Sequence, residues 1–126
     1  MALAKKMMGG GVSAGMAKAI CGDYGAITAA GSSQATATAV NVGNSVVASA
    51  DGTKGVTLPA VASPGESVTL FNNSGSTCPV YPPVGAAIAV AGTGLGTANS
   101  AFSQLTYKTT TYICFSATQW VAITSA

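Results

Sequence analysis

The chain has 126 residues, with five lysines, three acidic residues and neither histidine nor arginine. Acid–base catalysis near neutral pH usually needs a positioned histidine, or a carboxylate or lysine whose pKa is tuned by neighbouring groups. Because these few charges lie far apart in sequence and the net charge is only +2, we predict neither an enzyme nor a nucleic-acid-binding protein.

Residues 1–26 are predicted to form a flexible N-terminal arm. Three consecutive glycines at residues 9–11 would end any helix that begins within residues 1–8. The arm holds three of the five lysines, which gives it a local basic bias. It is either a frayed terminus or a segment that becomes ordered on the surface of a partner. Its candidate contact residues for that partner are Lys5, Lys6, Met7, Met8 and Lys18.

The sequence favours neither secretion nor membrane insertion. The lysines at positions 5 and 6 precede a weakly apolar stretch that contains four glycines and no leucine. A signal peptide needs a continuous apolar region, so we do not expect one here. No run approaches the roughly 20 apolar residues that cross a bilayer, so no membrane partner is expected.

Residues 27–126 are predicted to form one β-domain. Threonine and valine are frequent there and favour strands, while glycine, proline and Asp51-Gly52 mark turns. The predicted strands are Ile27–Ala30 with Ala35–Val40, Asn44–Ala50, Lys54–Leu58, Ser67–Asn72, Cys78–Tyr81, Ala86–Val90, Ala101–Leu105, Thr109–Ser116 and Gln119–Ile123. Strands at intervals of about 8–12 residues indicate an all-β fold. We predict an antiparallel β-sandwich or a barrel-like domain of jelly-roll or β-tulip type.

The side-chain pattern of two strands indicates how they lie in a sheet. Successive side chains of a strand point to opposite faces. In strand 109–116 the odd-numbered residues therefore share one face, and the even-numbered residues share the other. Pro79 has no backbone N–H to donate, which places strand 78–81 at a sheet edge or makes Pro79 a strand end.

Three motifs that can carry chemistry are interpreted as structural. The glycine-rich stretch 92–96 lacks the spacing of a dinucleotide-binding fingerprint, so we predict a plain loop. Asn72-Asn73-Ser74 fits a glycosylation sequon, but without a signal peptide we interpret it as a turn. Cys21, Cys78 and Cys114 are too few and too far apart for a zinc site without histidine. We expect three reduced thiols, with a Cys78–Cys114 disulfide as the alternative.

The scarcity of charge predicts association. Charged residues make up only 6% of the chain, against about 25% in a typical soluble domain. A lone monomer would have little protection against association, so we predict that much of the surface is buried against identical subunits or a larger assembly. Aromatic residues supply much of such burial, although a sugar-binding surface is the alternative. The candidate residues for the core or a trimer interface are Phe71, Tyr81, Tyr112, Phe115 and Trp120.

Several stretches of the chain, in the same order, resemble a small β-domain that is common in tailed-phage structural proteins. They are Ile27–Ala37, Gly55–Pro59, Val68–Asn73, Val80–Ile88 and Phe115–Trp120, so the resemblance covers residues 27–123. The resemblance implies an all-β domain, often trimeric, of the kind found in head decoration proteins, head fibres and tail fibres. The chain has no long shaft or repeat array, which favours a decoration protein over a fibre.

The resemblance therefore implies a homotrimeric capsid decoration (cement) protein. Such a protein is made in the host cytoplasm, binds the major capsid protein and stabilises the phage head from the virion surface. The alternative is a head-fibre or tail-fibre module that binds host-surface carbohydrate through exposed aromatic residues such as Tyr81 or Tyr107. For the decoration protein we expect no metal, no cofactor and no small-molecule ligand.

Overall fold

A computed structural model of the chain describes residues 24–40, 43–60, 62–90, 94 and 96–125. All regular structure in this part of the chain is β-strand and none is helix, which confirms the prediction of an all-β fold. The ten strands found there are β1 (Tyr24–Thr28), β2 (Thr38–Ala39), β3 (Asn44–Ser49), β4 (Val56–Thr57), β5 (Ser67–Asn72), β6 (Cys78–Tyr81), β7 (Ala87–Val90), β8 (Phe102–Gln104), β9 (Thr109–Ser116) and β10 (Gln119–Thr124).

These strands form two mixed sheets. The six-stranded sheet has the order β1-β3-β5-β9-β10-β7, and the four-stranded sheet has the order β2-β4-β6-β8. Five of the eight strand pairs in the described part of the chain are parallel. The other three pairs are antiparallel. The prediction of antiparallel sheets is therefore wrong for most of the pairs.

The first six strands alternate between the two sheets, so the chain winds around the core that the sheets share. Odd-numbered strands β1, β3 and β5 lie side by side and parallel in one sheet, while β2, β4 and β6 do the same in the other. Parallel neighbours cannot be joined by a tight hairpin and need a longer crossover. Here each crossover passes through a strand of the opposite sheet, so no helix is needed to connect them.

The last strands complete both sheets. β9 pairs antiparallel with β5, and β10 folds back antiparallel on β9. β8 pairs antiparallel with β6 in the other sheet. β9 has the sequence TTTYICFS, in which β-branched and aromatic residues suit a pleated surface. Its buried residues alternate with half-buried or exposed ones, which confirms the predicted division into odd and even faces.

One hydrophobic core draws on both sheets. The six-stranded sheet contributes Val47, Leu70, Tyr112, Trp120 and Ala122. The four-stranded sheet contributes Val56, Cys78 and Val80, all inaccessible to solvent. The ring of Phe102 in β8 meets that of Tyr112 in β9 nearly edge-on, with ring centroids 5.9 Å apart and planes at 80°. This is a favourable aromatic geometry, and it ties the two sheets together.

The first strand begins before residue 27, the predicted start of the β-domain. β1 begins at Tyr24, so residues 24–26, assigned to the arm, pair with β3 in the six-stranded sheet. The candidate arm contacts Lys5, Lys6, Met7, Met8 and Lys18 lie outside the described residues.

Two details of the predicted strands are also wrong. The strand expected at residues 35–40 is reduced to β2, because a turn in which Ala37 donates its backbone N–H to the Ser33 carbonyl occupies its start. Of the two alternatives given for Pro79, the sheet edge is wrong, because β6 lies inside the four-stranded sheet. Pro79 is tolerated there because β4 pairs with Val80 and Tyr81, one residue further on.

Candidate interaction surface

Few charged groups lie in the described part of the chain. They are Asp51, Lys54, Glu66 and Lys108. Lys54 Nζ lies 4.0 Å from a carboxylate oxygen of Asp51, and both side chains are more than half exposed, so the ion pair adds little stability. Among the described residues, no group of three or more potential metal ligands comes together.

Asp51 is held as a carboxylate by the loop after β3. Its Oδ1 accepts hydrogen bonds from the backbone N–H groups of Thr53 and Lys54, each at 3.0 Å, and from the Thr53 hydroxyl at 2.8 Å. The bond from the Thr53 backbone contributes most, and together these bonds lower the pKa of Asp51 from 3.8 to about 2.

The Asp51 carboxylate should therefore become protonated only in strong acid. A depressed carboxyl pKa stabilises the fold fully above the unfolded pKa, and this contribution is lost as pH falls through the folded pKa. We expect the Asp51 carboxyl carbon to titrate near pH 2 by NMR, and at a higher pH in Thr53→Val, which keeps the backbone donors. A midpoint near 3.8 in both proteins would contradict this assignment.

A buried polar network joins β5, β8 and β9. The Gln104 side-chain amide donates to the carbonyl oxygens of Leu70 at 2.8 Å and Lys108 at 3.0 Å. Its Oε1 accepts a 2.8 Å hydrogen bond from the Tyr112 hydroxyl. Because burial raises the pKa of Tyr112 well above its ordinary value, this hydroxyl keeps its proton and can donate.

The network continues into the bend after β5. The Asn72 side-chain amide donates to the carbonyl oxygens of Ser76 at 2.8 Å and Gln104 at 3.0 Å. Its Oδ1 accepts the backbone N–H of Ser74 at 3.1 Å and lies 2.6 Å from the Ser74 hydroxyl. The Thr106 hydroxyl donates to the Ser74 carbonyl. Asn72 is the last residue of β5 and is fully buried, and the bend at residues 74–76 follows it, so the sequon-like residues lie where the chain leaves the strand.

A small apolar cavity lies beside Trp120. It has a volume of about 210 Å³. Its lining residues are Pro59, Ala60, Ala62, Pro83, Cys114, Ser116, Ala117 and Trp120. Sites for small molecules usually enclose about 300–1,000 Å³, so this cavity suits one or two apolar side chains better than a cofactor.

The buried thiols are poorly suited to nucleophilic chemistry. Cys78 and Cys114 are both free, so the alternative of a disulfide between them is not what the structure shows. Cys21 lies outside the described residues. Burial raises the pKa of Cys78 to about 11 and also raises that of Cys114. Because the thiolate is the nucleophile, both side chains serve near neutral pH as small apolar residues.

The outer face of the six-stranded sheet carries no charged side chain. We define this outer face by the residues of β1, β3, β5, β9 and β10 whose side chains alternate with those buried in the core. They are Ala26, Thr28, Asn44, Val46, Ala48, Ser67, Thr69, Phe71, Thr109, Thr111, Ile113, Phe115, Gln119, Val121 and Ile123. The face thus consists of apolar side chains, hydroxyls and two amides.

The strand register gathers the apolar residues of the outer face into rows. Val46 of β3 lies beside Phe71 of β5. Ile113 of β9 lies opposite Val121 of β10. Between these rows, the hydroxyls of Thr69 and Thr111 lie 3.2 Å apart and bond to each other across β5 and β9. The outer face is therefore a continuous surface whose central hydroxyls already have partners.

The predicted core or trimer residues occupy different environments. Tyr112 and Trp120 are almost completely buried in the core. Phe71 is half-buried on the outer face, and Phe115, on the same face, is 59% exposed. Tyr81 is half-buried in the four-stranded sheet, and its hydroxyl donates to a backbone carbonyl at 3.3 Å.

The valines and isoleucines of the outer face were not among the predicted interface residues. They are Val46, Ile113, Val121 and Ile123, the last of which is 49% exposed. The odd-numbered alternation of β9 placed Ile113 on the same face as Phe115. Alternation alone does not say which face of a strand meets the core, so it gave no reason to prefer this face as an interface.

Comparison of the chain with family models, with curated proteins and with solved structures gave no match. Within the described ranges there is no helix with the length and apolar character needed to cross a membrane.

Proposed function

We propose that this chain is a non-catalytic structural protein that decorates and stabilises a tailed-phage capsid as a homotrimer. The observation that carries the proposal is the outer face of the six-stranded sheet, a charge-free surface suited to contact with protein. The ordered resemblance of residues 27–123 to β-domains of phage structural proteins supports the same class of protein. The site of action would be the virion surface, and the partner would be the major capsid protein.

In this proposal the chain is a sandwich-like domain preceded by an arm. The two sheets share one core, as the layers of a sandwich do. β1 enters the six-stranded sheet with Tyr24 beside Asn44, at the end where its parallel neighbours also begin. The arm would leave the domain at this end of the sheet.

The proposed mechanism is physical rather than chemical. Each subunit of a trimer adds one capsid contact, and linked contacts reinforce one another through a high effective concentration. A decoration protein that binds only the assembled, expanded shell stabilises that shell by mass action. Lysines of the arm, a basic segment, would face acidic surface on the shell.

The proposed role of the arm in capsid binding can be tested by deletion. Removing residues 2–20 is expected to abolish co-sedimentation with undecorated capsids while the mass of the oligomer in solution still corresponds to three chains. Exchanging Lys5, Lys6 and Lys18 for alanine should weaken binding, because each loses a charge that faces the shell. Exchanging Lys54 and Lys108, which lie in the β-domain, serves as the control. Normal capsid binding by the deletion variant would contradict the assigned role of the arm.

A carbohydrate-binding fibre module is the alternative function. Tyr107 favours it, since its side chain is 64% exposed on the turn between β8 and β9. Tyr81 gives less support, because it is half-buried and its hydroxyl already has a backbone partner. A glycan array without hits would count against this alternative and leave the decoration protein as the better proposal.

A further inference from the structure

We propose that copies of this chain associate through the outer face of the six-stranded sheet, with β5, β9 and β10 at the centre of the contact. This inference rests on the proposed function, because it names the surface at which the subunits of the assembly meet. The occupant of the face is therefore a second copy of this chain.

The first argument is the distribution of charge. Burying a charge that finds no partner is strongly unfavourable, so a surface without charges is best covered by another surface without charges. The charged residues of the described chain, Asp51, Lys54, Glu66 and Lys108, all lie outside the outer face. Every copy presents the same charge-free face. In a closed three-fold ring, one part of the face of each copy contacts a different part of the face of the next copy, so each face is shared between two neighbours.

The second argument is area. The five strands that define the face, about 4.8 Å apart and about six residues long at about 3.3 Å per residue, give an area of roughly 500 Å². Full contact between two such faces removes roughly 1,000 Å², which is the lower limit expected of a specific protein interface, and three faces that meet in a trimer bury roughly 1,500 Å² in total. The face is thus large enough to hold two copies together, and any contact beyond its border adds to that area.

The third argument is how the polar groups of the face are satisfied. Thr69 and Thr111 occupy neighbouring positions on β5 and β9, and their hydroxyls bond to each other at 3.2 Å. Because these two hydroxyls already bond to each other, a contact that covers them leaves fewer hydroxyls unsatisfied than one that covers two unpaired threonines. Around it, Phe71, Ile113 and Val121 offer the apolar side chains that interdigitate when sheets pack about 10 Å apart.

The chain also provides matched controls. Leu105 and Val84 are large hydrophobic residues with 56% and 84% exposure, respectively, but neither belongs to the outer face. Phe115 and Ile123 are similarly exposed, at 59% and 49%, and both belong to it. A lysine at any of these four positions leaves the core intact, so the comparison isolates the location of the added charge.

The test is the mass in solution of the full-length chain by light scattering after size exclusion. We expect an oligomer for the unchanged protein. Phe115→Lys and Ile123→Lys, made separately, should each weaken association roughly 100-fold or more, because each places a charge without a partner in an apolar contact. Both should then elute near the 12.2 kDa of one chain, with an unchanged circular dichroism spectrum. Leu105→Lys and Val84→Lys should keep the mass of the unchanged oligomer.

The outcomes separate this inference from the proposed function. Loss of the oligomer in the two outer-face variants alone supports the inference, and a trimer supports the decoration protein as well. If the unchanged protein is a dimer and the same variants dissociate it, the result supports the outer face as the contact but contradicts the proposed trimer. An oligomer that survives both variants overturns the surface and leaves the decoration function standing. If the unchanged protein is a monomer, the proposal that copies associate through the outer face is wrong. Capsid co-sedimentation then tests the decoration function separately.

Discussion

Replacing Trp120 by alanine is expected to lower the free energy of unfolding by about 3–5 kcal/mol. The side chain is only 1% exposed, and β10 holds it between Cys114 of β9 and Ile88 of β7. Its removal would join the space of the indole to the neighbouring cavity of about 210 Å³. A larger void loses more packing contacts, because the surrounding strands cannot close over it.

Urea unfolding followed by circular dichroism measures this effect, since Trp120 is the only tryptophan and its fluorescence is lost in the variant. Trp120→Phe should fall between the two proteins because it keeps an aromatic ring in the core. Val84→Ala is the matched control, since Val84 is 84% exposed and its truncation should change stability by less than about 0.5 kcal/mol. A loss below about 1 kcal/mol in Trp120→Ala would show that the core does not depend on the indole.

The positions of the strands were largely readable from the sequence. β5, β6 and β9 begin and end where they were predicted, because β-branched and apolar residues alternate between clear turn signals. The strand expected at residues 35–40 was mostly wrong. Its alternating threonines and alanines fit a strand, but Ser33 and Thr36 bond to each other within a turn, their hydroxyls 2.9 Å apart.

The direction of strand pairing was not readable. A residue pattern of period two is the same for a parallel and an antiparallel strand, so alternation cannot tell them apart. In β1–β6, consecutive strands also lie in opposite sheets, so β1 is a neighbour of β3 rather than of β2. Short runs separated by turns led to the prediction of antiparallel sheets, whereas β1–β6 alternate between the two sheets and pair with parallel neighbours.

The candidate surface was only partly readable. Scarcity of charge predicted that some surface is covered, and Phe71 and Phe115 were named for it. Ile123 was missed, because nothing in its local sequence distinguishes an inward from an outward isoleucine near the end of a strand. The strand register decides this, since Trp120 and Ala122 fill the core and so turn Val121 and Ile123 outward.

Replacing Gln104 by leucine is expected to lower the free energy of unfolding by about 3 kcal/mol or more. The change leaves the buried Tyr112 hydroxyl without its acceptor and removes one hydrogen bond from each of the carbonyl oxygens of Leu70 and Lys108. The Lys108 carbonyl keeps a second bond, from the Asn72 backbone N–H at 3.0 Å. The unpaired hydroxyl costs about 1–3 kcal/mol and each lost hydrogen bond about 1 kcal/mol, and leucine has nearly the volume of glutamine, so cavity formation adds little. The loss should therefore come from polar groups rather than from packing.

A double-mutant cycle separates these two causes. Tyr112→Phe removes the hydroxyl that Gln104→Leu would leave unpaired, so the double variant should lose less stability than the sum of the two single variants. The neighbouring Ser103→Ala, on the same strand but exposed, is the control and should be nearly neutral. Additive losses would mean that the hydrogen bond from Tyr112 to Gln104 does not hold β8 to β9. Coupling of about 1 kcal/mol or more would mean that this bond, with the edge-on contact of Phe102, fixes how the two sheets meet.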